Sequence, residues 1–360
     1  MAKFLLYPFV FLAFSFGADA KECHLAQNGK GGTMTLNGGS PSSPQIFASV
    51  AGDRGGIPKH ELSTFNALLD HDLWSYCDAG NDGVGFFVNT NPNSAIVSEN
   101  GRALFPTNVD GIYYAVKIYS TGGGGGYFPQ PNAGNWTLVD SGDRAYWDSK
   151  QIKADVTLYQ EVSFPGNLNG VSTITPKDSR SLGLIRIGTE DSDDNNPWDI
   201  HVTPSSFSVQ VMAATCRSAS VNNGTNNVDF GDIMFSALKD GRWTETPFIL
   251  RLNGCNNTVW VRMKLTTPKS ELNAAGNWTL MTNTLTGSDA ATGIGVELIS
   301  KFTTADGLNL QPGSEIWSPP TNVGTAQSYD YSFNAYLSRT SGELKPGRFK
   351  AIGTFTIDYF

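Results

Sequence analysis

The chain has 360 residues, a formal net charge of −8 at pH 7, and a composition that includes 39 glycines and 18 prolines. An acidic chain without basic clusters argues against nucleic acid and anionic membrane as partners. The length predicts two domains, and abundant Gly, Pro, Thr, Ser and Asn with few helical patterns predict an all-β protein.

Met1-Ala-Lys3 is a short basic start, followed by an apolar run from Phe4 to Phe16 and the small residues Ala18-Asp-Ala20. That order is expected of a secretory signal peptide over residues 1–20, with Lys21 the first mature residue. The apolar run is too short to span a bilayer, and no later segment is longer, so the mature protein is expected to be exported without an anchor. Cleavage removes one basic and one acidic residue, which leaves the net charge unchanged. Cys23, Cys77, Cys216 and Cys255 then form an even set in an oxidising compartment. Three disulfide connectivities are open; pairing neighbours, Cys23 with Cys77 and Cys216 with Cys255, is the expectation, with a zinc site the alternative.

Residues 45–50 are expected to form a strand, and His60-Glu-Leu-Ser-Thr64 lacks the second histidine of a zinc-protease helix. Leu73–Cys77 predicts a strand, followed by the polar loop Asp78-Ala-Gly-Asn-Asp82-Gly and a further strand over residues 84–88. Strands are also expected over residues 103–109, 111–119, 135–139, 154–159, 182–187 and 207–211. Five consecutive glycines at 122–126 predict a mobile loop, and residues 212–215 a short linker. Ala-Gly-Asn-Trp-Thr-Leu occurs at 133–138 and again at 275–280. The offset differs from that between the cysteine pairs, so it reads as a turn feeding a strand in each half rather than a duplication. Asn135, Asn223, Asn256 and Asn277 lie in glycosylation sequons, which matter only in a host that uses them.

In the second half, Cys216 precedes Asn227-Val-Asp-Phe-Gly-Asp-Ile233, and Pro247-Phe-Ile-Leu-Arg-Leu-Asn-Gly-Cys255 turns Phe248, Leu250 and Leu252 toward a core. The chain ends in its best strand. Phe349, Ala351, Gly353, Phe355, Ile357 and Tyr359 share one face, and Lys350, Thr354, Thr356 and Asp358 the other. A terminal strand with an apolar face and a free carboxylate suits capture by strand addition.

A cysteine before V-x-F-G, a partner cysteine after P-F-x-L-x-L, a glycine fourteen residues from the end matched by Gly347, and a penultimate tyrosine are together similar to the pilin domain of chaperone–usher pili. The resemblance covers residues 213–360; the longer spacing from Cys216 to Cys255 departs from it and reads as a loop insertion. It implies an incomplete immunoglobulin-like sandwich lacking its seventh strand. A periplasmic chaperone, and later an adjacent subunit's N-terminal extension, would complete it by donor-strand complementation. Gly347, Phe349, Phe355, Ile357, Tyr359 and the Phe360 carboxylate would serve chaperone contact and assembly at the outer-membrane usher. An ordinary pilin carries a donor extension before its first cysteine, whereas this chain carries residues 21–212. By the resemblance that segment is a lectin-like receptor-binding sandwich, and the whole a fimbrial tip adhesin, extracellular after passing the periplasm.

Sugar binding needs Asp and Asn for pairs of hydroxyls and an aromatic face for the C–H surface of the ring. Asp78, Asn81, Asp82, Asp191, Asp193 and Asn195 supply the first, and Trp147 and Trp198 the second, although the same polar residues also dominate ordinary turns. The expected ligand is a host glycan, glycoprotein or glycolipid. Asp191-x-Asp193-x-Asn195 opens like a calcium loop but carries Asn196 and Val202 where glycine and glutamate belong, so no metal or cofactor is expected. G-x-S-x-G, H-E-x-x-H and P-loop motifs are missing, and no enzyme is expected. The competing readings are a structural tip adaptor and an adhesin that binds a protein receptor without lectin activity.

Overall fold

The computed structural model describes residues 22–47, 58–78, 84–132, 134–164, 166–188, 195–239, 244–302, 307–318 and 327–360. The expected signal peptide and Lys21 lie outside these residues. The described chain is nearly all β, as the sequence predicts, and builds two large hydrophobic cores and a small cluster of Leu104, Ala115 and Tyr159.

The front half packs two main sheets around one core. In the larger, Cys23–Leu25, Trp74–Cys77, Lys150–Glu161, Ile112–Ser120, Arg102–Pro106 and Val97–Glu99 lie side by side. Pro58–Ala67 adds to Lys150–Glu161, and Gly125–Tyr127 to Ile112–Ser120. The second sheet runs Thr137–Asp140, Phe86–Thr90, Arg180–Ile187, Trp198–Val202 and Gly32–Thr35, the last pair parallel. Alternation explains the packing: Ile112, Tyr114, Val116 and Ile118 are buried, as are Ile152, Ala154, Val156 and Leu158 on the neighbouring strand.

Two local expectations are corrected. Residues 122–126 are not a loose loop. Gly125–Tyr127 is a strand paired with Ile112–Ser120, and a Cβ at Gly124 would lie 2.6 Å from the Trp147 ring. A Cβ at Gly122 would lie 2.5 Å from the Tyr146 carbonyl, so the glycines answer a close approach to the short helix Arg144–Trp147. In the 45–50 segment only Gln45 bridges, to Val211, and residues 48–50 lie outside the described set. The His-Glu-Leu-Ser-Thr segment, whose helix motif fails in sequence, belongs to the ten-residue strand Pro58–Ala67.

The back half holds Ser218–Val221, Thr244–Cys255, Gln327–Arg339, Ile294–Ser300, Thr279–Thr282 and Ser270–Leu272 in one sheet, with Leu308–Asn309 added to Ile294–Ser300. Facing it, Val261–Thr266 sits between Glu315–Trp317 and the last strand, Thr354–Tyr359. Phe248, Leu250 and Leu252 are buried as the pattern predicts. Each repeated hexapeptide feeds a strand that begins at its threonine, Thr137 or Thr279. Disulfides join Cys23 to Cys77 and Cys216 to Cys255.

Residues 227–233, which carry the Val-Asp-Phe-Gly match, are not in a strand. After Ser218–Val221 the chain turns through Asn222 and Asn223, both at positive φ (45° and 56°), and leaves its sheet partner. Val228, Phe230 and Ile233 still pack on the core, but no neighbouring strand holds the segment in a ladder among the described residues.

Candidate functional site

A groove opens in the back sandwich between residues 227–233 and the last strand. Its volume is about 980 Å³. Val228, Phe230 and Ile233 form one wall and Phe349, Phe355 and Ile357 the other, over a floor that includes Leu250, Met281 and Val296. The last strand pairs antiparallel with Val261–Thr266 in the register Leu265↔Phe355, Met263↔Ile357 and Val261↔Tyr359. Val261, Met263 and Leu265 are fully buried, whereas their partners Phe355, Ile357 and Tyr359 are only half-buried. Among the described residues, no strand pairs with the other edge of Thr354–Tyr359. Alternate N–H and C=O groups on that edge therefore lack a ladder partner beside a half-covered apolar face. Fully burying a side chain such as Phe or Ile stabilises by about 1.5–3 kcal/mol, so this face retains a substantial driving force for a further strand.

The remaining assembly candidates surround the same groove. Gly347 lines it, and a Cβ there would run into the Asp289 carbonyl. Burial raises the Tyr359 phenol above its usual pKa, with the Asp358 carboxylate adding to the shift. Phe360 turns away: an oxygen of its terminal carboxylate accepts hydrogen bonds from the Val259 and Trp260 amides, at 2.6 and 3.0 Å. Its ring stacks on Trp317 at 5.4 Å, with the Arg262 guanidinium 5.5 Å away.

Those contacts bring the chain end to the seam between the two halves. Val259 is fully buried in the front core, and Trp260 Nε1 donates to the Phe164 carbonyl at 3.4 Å. The Asn257 amide nitrogen donates to the Met212 carbonyl, and its oxygen accepts from the Phe47 amide at 3.1 Å. None of this seam was expected from the sequence, because Asn257 and Val259 resemble ordinary loop and core residues there.

At one end of the front sandwich, Glu22 draws together the ends of two polar loops. The Asp78 amide donates to the Glu22 carbonyl at 3.2 Å, and Asn195 Nδ2 donates to a Glu22 carboxylate oxygen at 2.7 Å. Asn195 also donates to the Ile187 carbonyl at 2.9 Å and is buried, so its amide is an internal tie. Asp78 is exposed beside the Cys23–Cys77 disulfide. Asn81, Asp82, Asp191 and Asp193 lie outside the described residues. Trp198 is half-buried, packed over Gly32 and 5.5 Å from His71. Trp147 is fully buried and stacked on Phe86 at 5.3 Å, which leaves it no face for a ligand in this conformation. Among the described residues no group of three or more His, Cys, Asp or Glu side chains is placed to hold a metal.

The back half is an incomplete immunoglobulin-like sandwich with one open strand edge and an apolar groove beside it. Residues 205–360 match the family model described as Fimbrial protein. Similar solved structures include the CupB6 tip adhesin from Pseudomonas aeruginosa, at 16% identity over 94% of this chain and 93% of that chain, with a TM-score of 0.48. A mutant form of the CFA/I adhesin CfaE from enterotoxigenic E. coli is similar at 9% identity over 93% of each chain, with a TM-score of 0.27. The P pilus rod subunit PapA is similar at 18% identity over 40% of this chain and 98% of that chain, with a TM-score of 0.30. No curated protein matches.

Proposed function

We propose that the chain is the two-domain tip adhesin of a chaperone–usher fimbria. Residues 21–212 act as the receptor-binding domain and residues 213–360 as the pilin domain, completed in trans by a donor strand. The observation that carries this reading is the last strand: one edge unpaired among the described residues, and Phe355, Ile357 and Tyr359 half-buried over a groove of about 980 Å³. An extended segment with alternating apolar side chains would satisfy that edge and fill the groove together. A periplasmic chaperone would supply the strand first and an adjacent subunit would replace it, at the usher. The family match to residues 205–360 supports the same reading.

The segment ahead of Cys216 is a folded sandwich rather than an extended strand. A subunit built this way receives a strand without donating one, which is the arrangement of a fimbrial tip on the cell exterior. Receptor binding then falls to the front sandwich, where Asp78 and Trp198 remain the described candidates for a host glycan or a glycoprotein or glycolipid that carries it. The assembly half is tested by adding a synthetic peptide with the N-terminal extension of a neighbouring subunit to the full chain. Saturable binding with a raised unfolding temperature is expected, and no binding overturns the reading. Glycan-array binding by the full chain tests the receptor half.

A further inference from the structure

The outward face of the larger front sheet is chemically unlike an ordinary solvent face. Strand alternation turns Ile112 to Ile118 and Ile152 to Leu158 toward the core at every second position, so Tyr113, Ala115, Lys117 and Tyr119 lie on the outer side, where Ala115 is buried in a small cluster with Leu104 and Tyr159. Beside them stand Lys153, Asp155, Thr157 and Tyr159, and on the next strand Thr64 and Asn66; Thr157 and Tyr159 are buried, so the open part of this side is Lys117, Tyr119, Lys153, Asp155, Thr64 and Asn66. Outward positions of a half-buried sheet are normally filled by plain polar residues. Here tyrosines alternate with carboxylate, amide and ammonium groups.

The face is also held in place. Arg102 Nη1 donates to the Tyr159 hydroxyl at 2.6 Å, and its guanidinium lies 4.0 Å over the Tyr127 ring. The Thr157 hydroxyl is within 2.8 Å of Thr64 and 3.1 Å of the Tyr127 hydroxyl. This shelf leads to Asp155, whose Oδ1 accepts from Asn66 at 2.5 Å and from the Tyr119 hydroxyl at 3.2 Å. Its Oδ2 accepts no hydrogen bond among the described residues, and the Lys117 ammonium, on the register partner, sits 5.2 Å from the Tyr119 ring. Tyr119 is half-buried, so part of its surface is open beside an oriented acceptor. Lys117, Lys153 and Arg102 balance Asp155, Glu61 and Glu161, so the face carries little net field to favour an ionic ligand.

We propose that this face, centred on Tyr119 and Asp155, binds an uncharged oligosaccharide laid across the strands. The Tyr119 ring takes the C–H surface of one sugar ring, and Asp155 Oδ2 accepts from its hydroxyls. Lys117 and the remaining amide capacity of Asn66 contact the flanking residues. The inference rests on the reading of the front sandwich as a glycan-binding domain, but it puts the ligand on the sheet rather than among the end loops that hold Asp78.

The test is binding of the full chain to an array of neutral oligosaccharides, repeated with Tyr119→Ala, the isosteric Asp155→Asn, and Asp78→Asn as the end-loop control. At least a tenfold loss of affinity is expected for each of the two face variants, with unfolding temperature unchanged in Asp155→Asn and wild-type affinity in Asp78→Asn. Wild-type affinity in both face variants overturns the sheet site while leaving a glycan-binding domain intact. A wild-type chain that binds no neutral glycan overturns both.

Discussion

Gly166 of the front sandwich and Phe360, the last residue of the chain, pack so closely that a Cβ built on Gly166 would lie 3.0 Å from the Phe360 Cβ. Gly166 also has φ +89°, which an L side chain adopts only with strain. The strand with the open edge thus ends in the seam between the two halves, on the Val259 and Trp260 amides. Gly166→Ala is expected to destabilise the chain by about 1–2 kcal/mol, measured by chemical unfolding.

The groove wall should matter for both stability and capture. Phe355 lies 5.5 Å from Phe333, pairs with Leu265 and lines the groove. Phe355→Ala is expected to cost about 2 kcal/mol, less than a full core truncation because the ring is half-buried. It should also weaken donor-peptide binding at least tenfold, measured by calorimetry.

Alkaline pH should destabilise the protein. Burial pushes the Tyr331 phenol up to about 12 and raises Tyr114 as well. Both groups favour the protonated form in the folded state more than in the unfolded chain. Their contribution is complete below the unfolded pKa of about 10 and is lost as pH rises toward 12, by about 1.4 kcal/mol per pH unit for Tyr331. Unfolding midpoints measured from pH 9 to 12 should therefore fall. In Tyr331→Phe the fall should be shallower.

Both disulfides should be structural. Cys216 and Cys255 close a separation of 39 residues at the start of the incomplete sandwich. Replacing the pair with serine is expected to cost about 2–5 kcal/mol, measured by denaturant unfolding of the oxidised and substituted chains.

The back half was the more legible part of the sequence. Phe248, Leu250 and Leu252 alternate over a long strand, and the ending alternates again, so both faces could be read directly. Periodicity misled where tertiary contact set the backbone. The glycines at 122–126 look entropic in sequence, yet the Tyr146 carbonyl and the Trp147 ring leave no room for a side chain at Gly122 and Gly124. Val228, Phe230 and Ile233 carry an apolar pattern, but a strand needs a ladder partner and none stands beside them among the described residues. Among the sugar-site candidates, the chain brings Asp78 and Asn195 together through Glu22, which carries no signal in sequence. It buries Trp147, since an aromatic residue beside acidic ones reads alike whether it faces a ligand or a core.

The most direct test of the account is amide hydrogen exchange over Thr354–Tyr359 in the full chain, with and without a saturating donor peptide. Alternate amides on the open edge are expected to exchange rapidly alone and to slow by about a hundredfold or more with the peptide bound. Slow exchange in the free chain, unchanged by the peptide, would contradict an open sandwich awaiting a foreign strand.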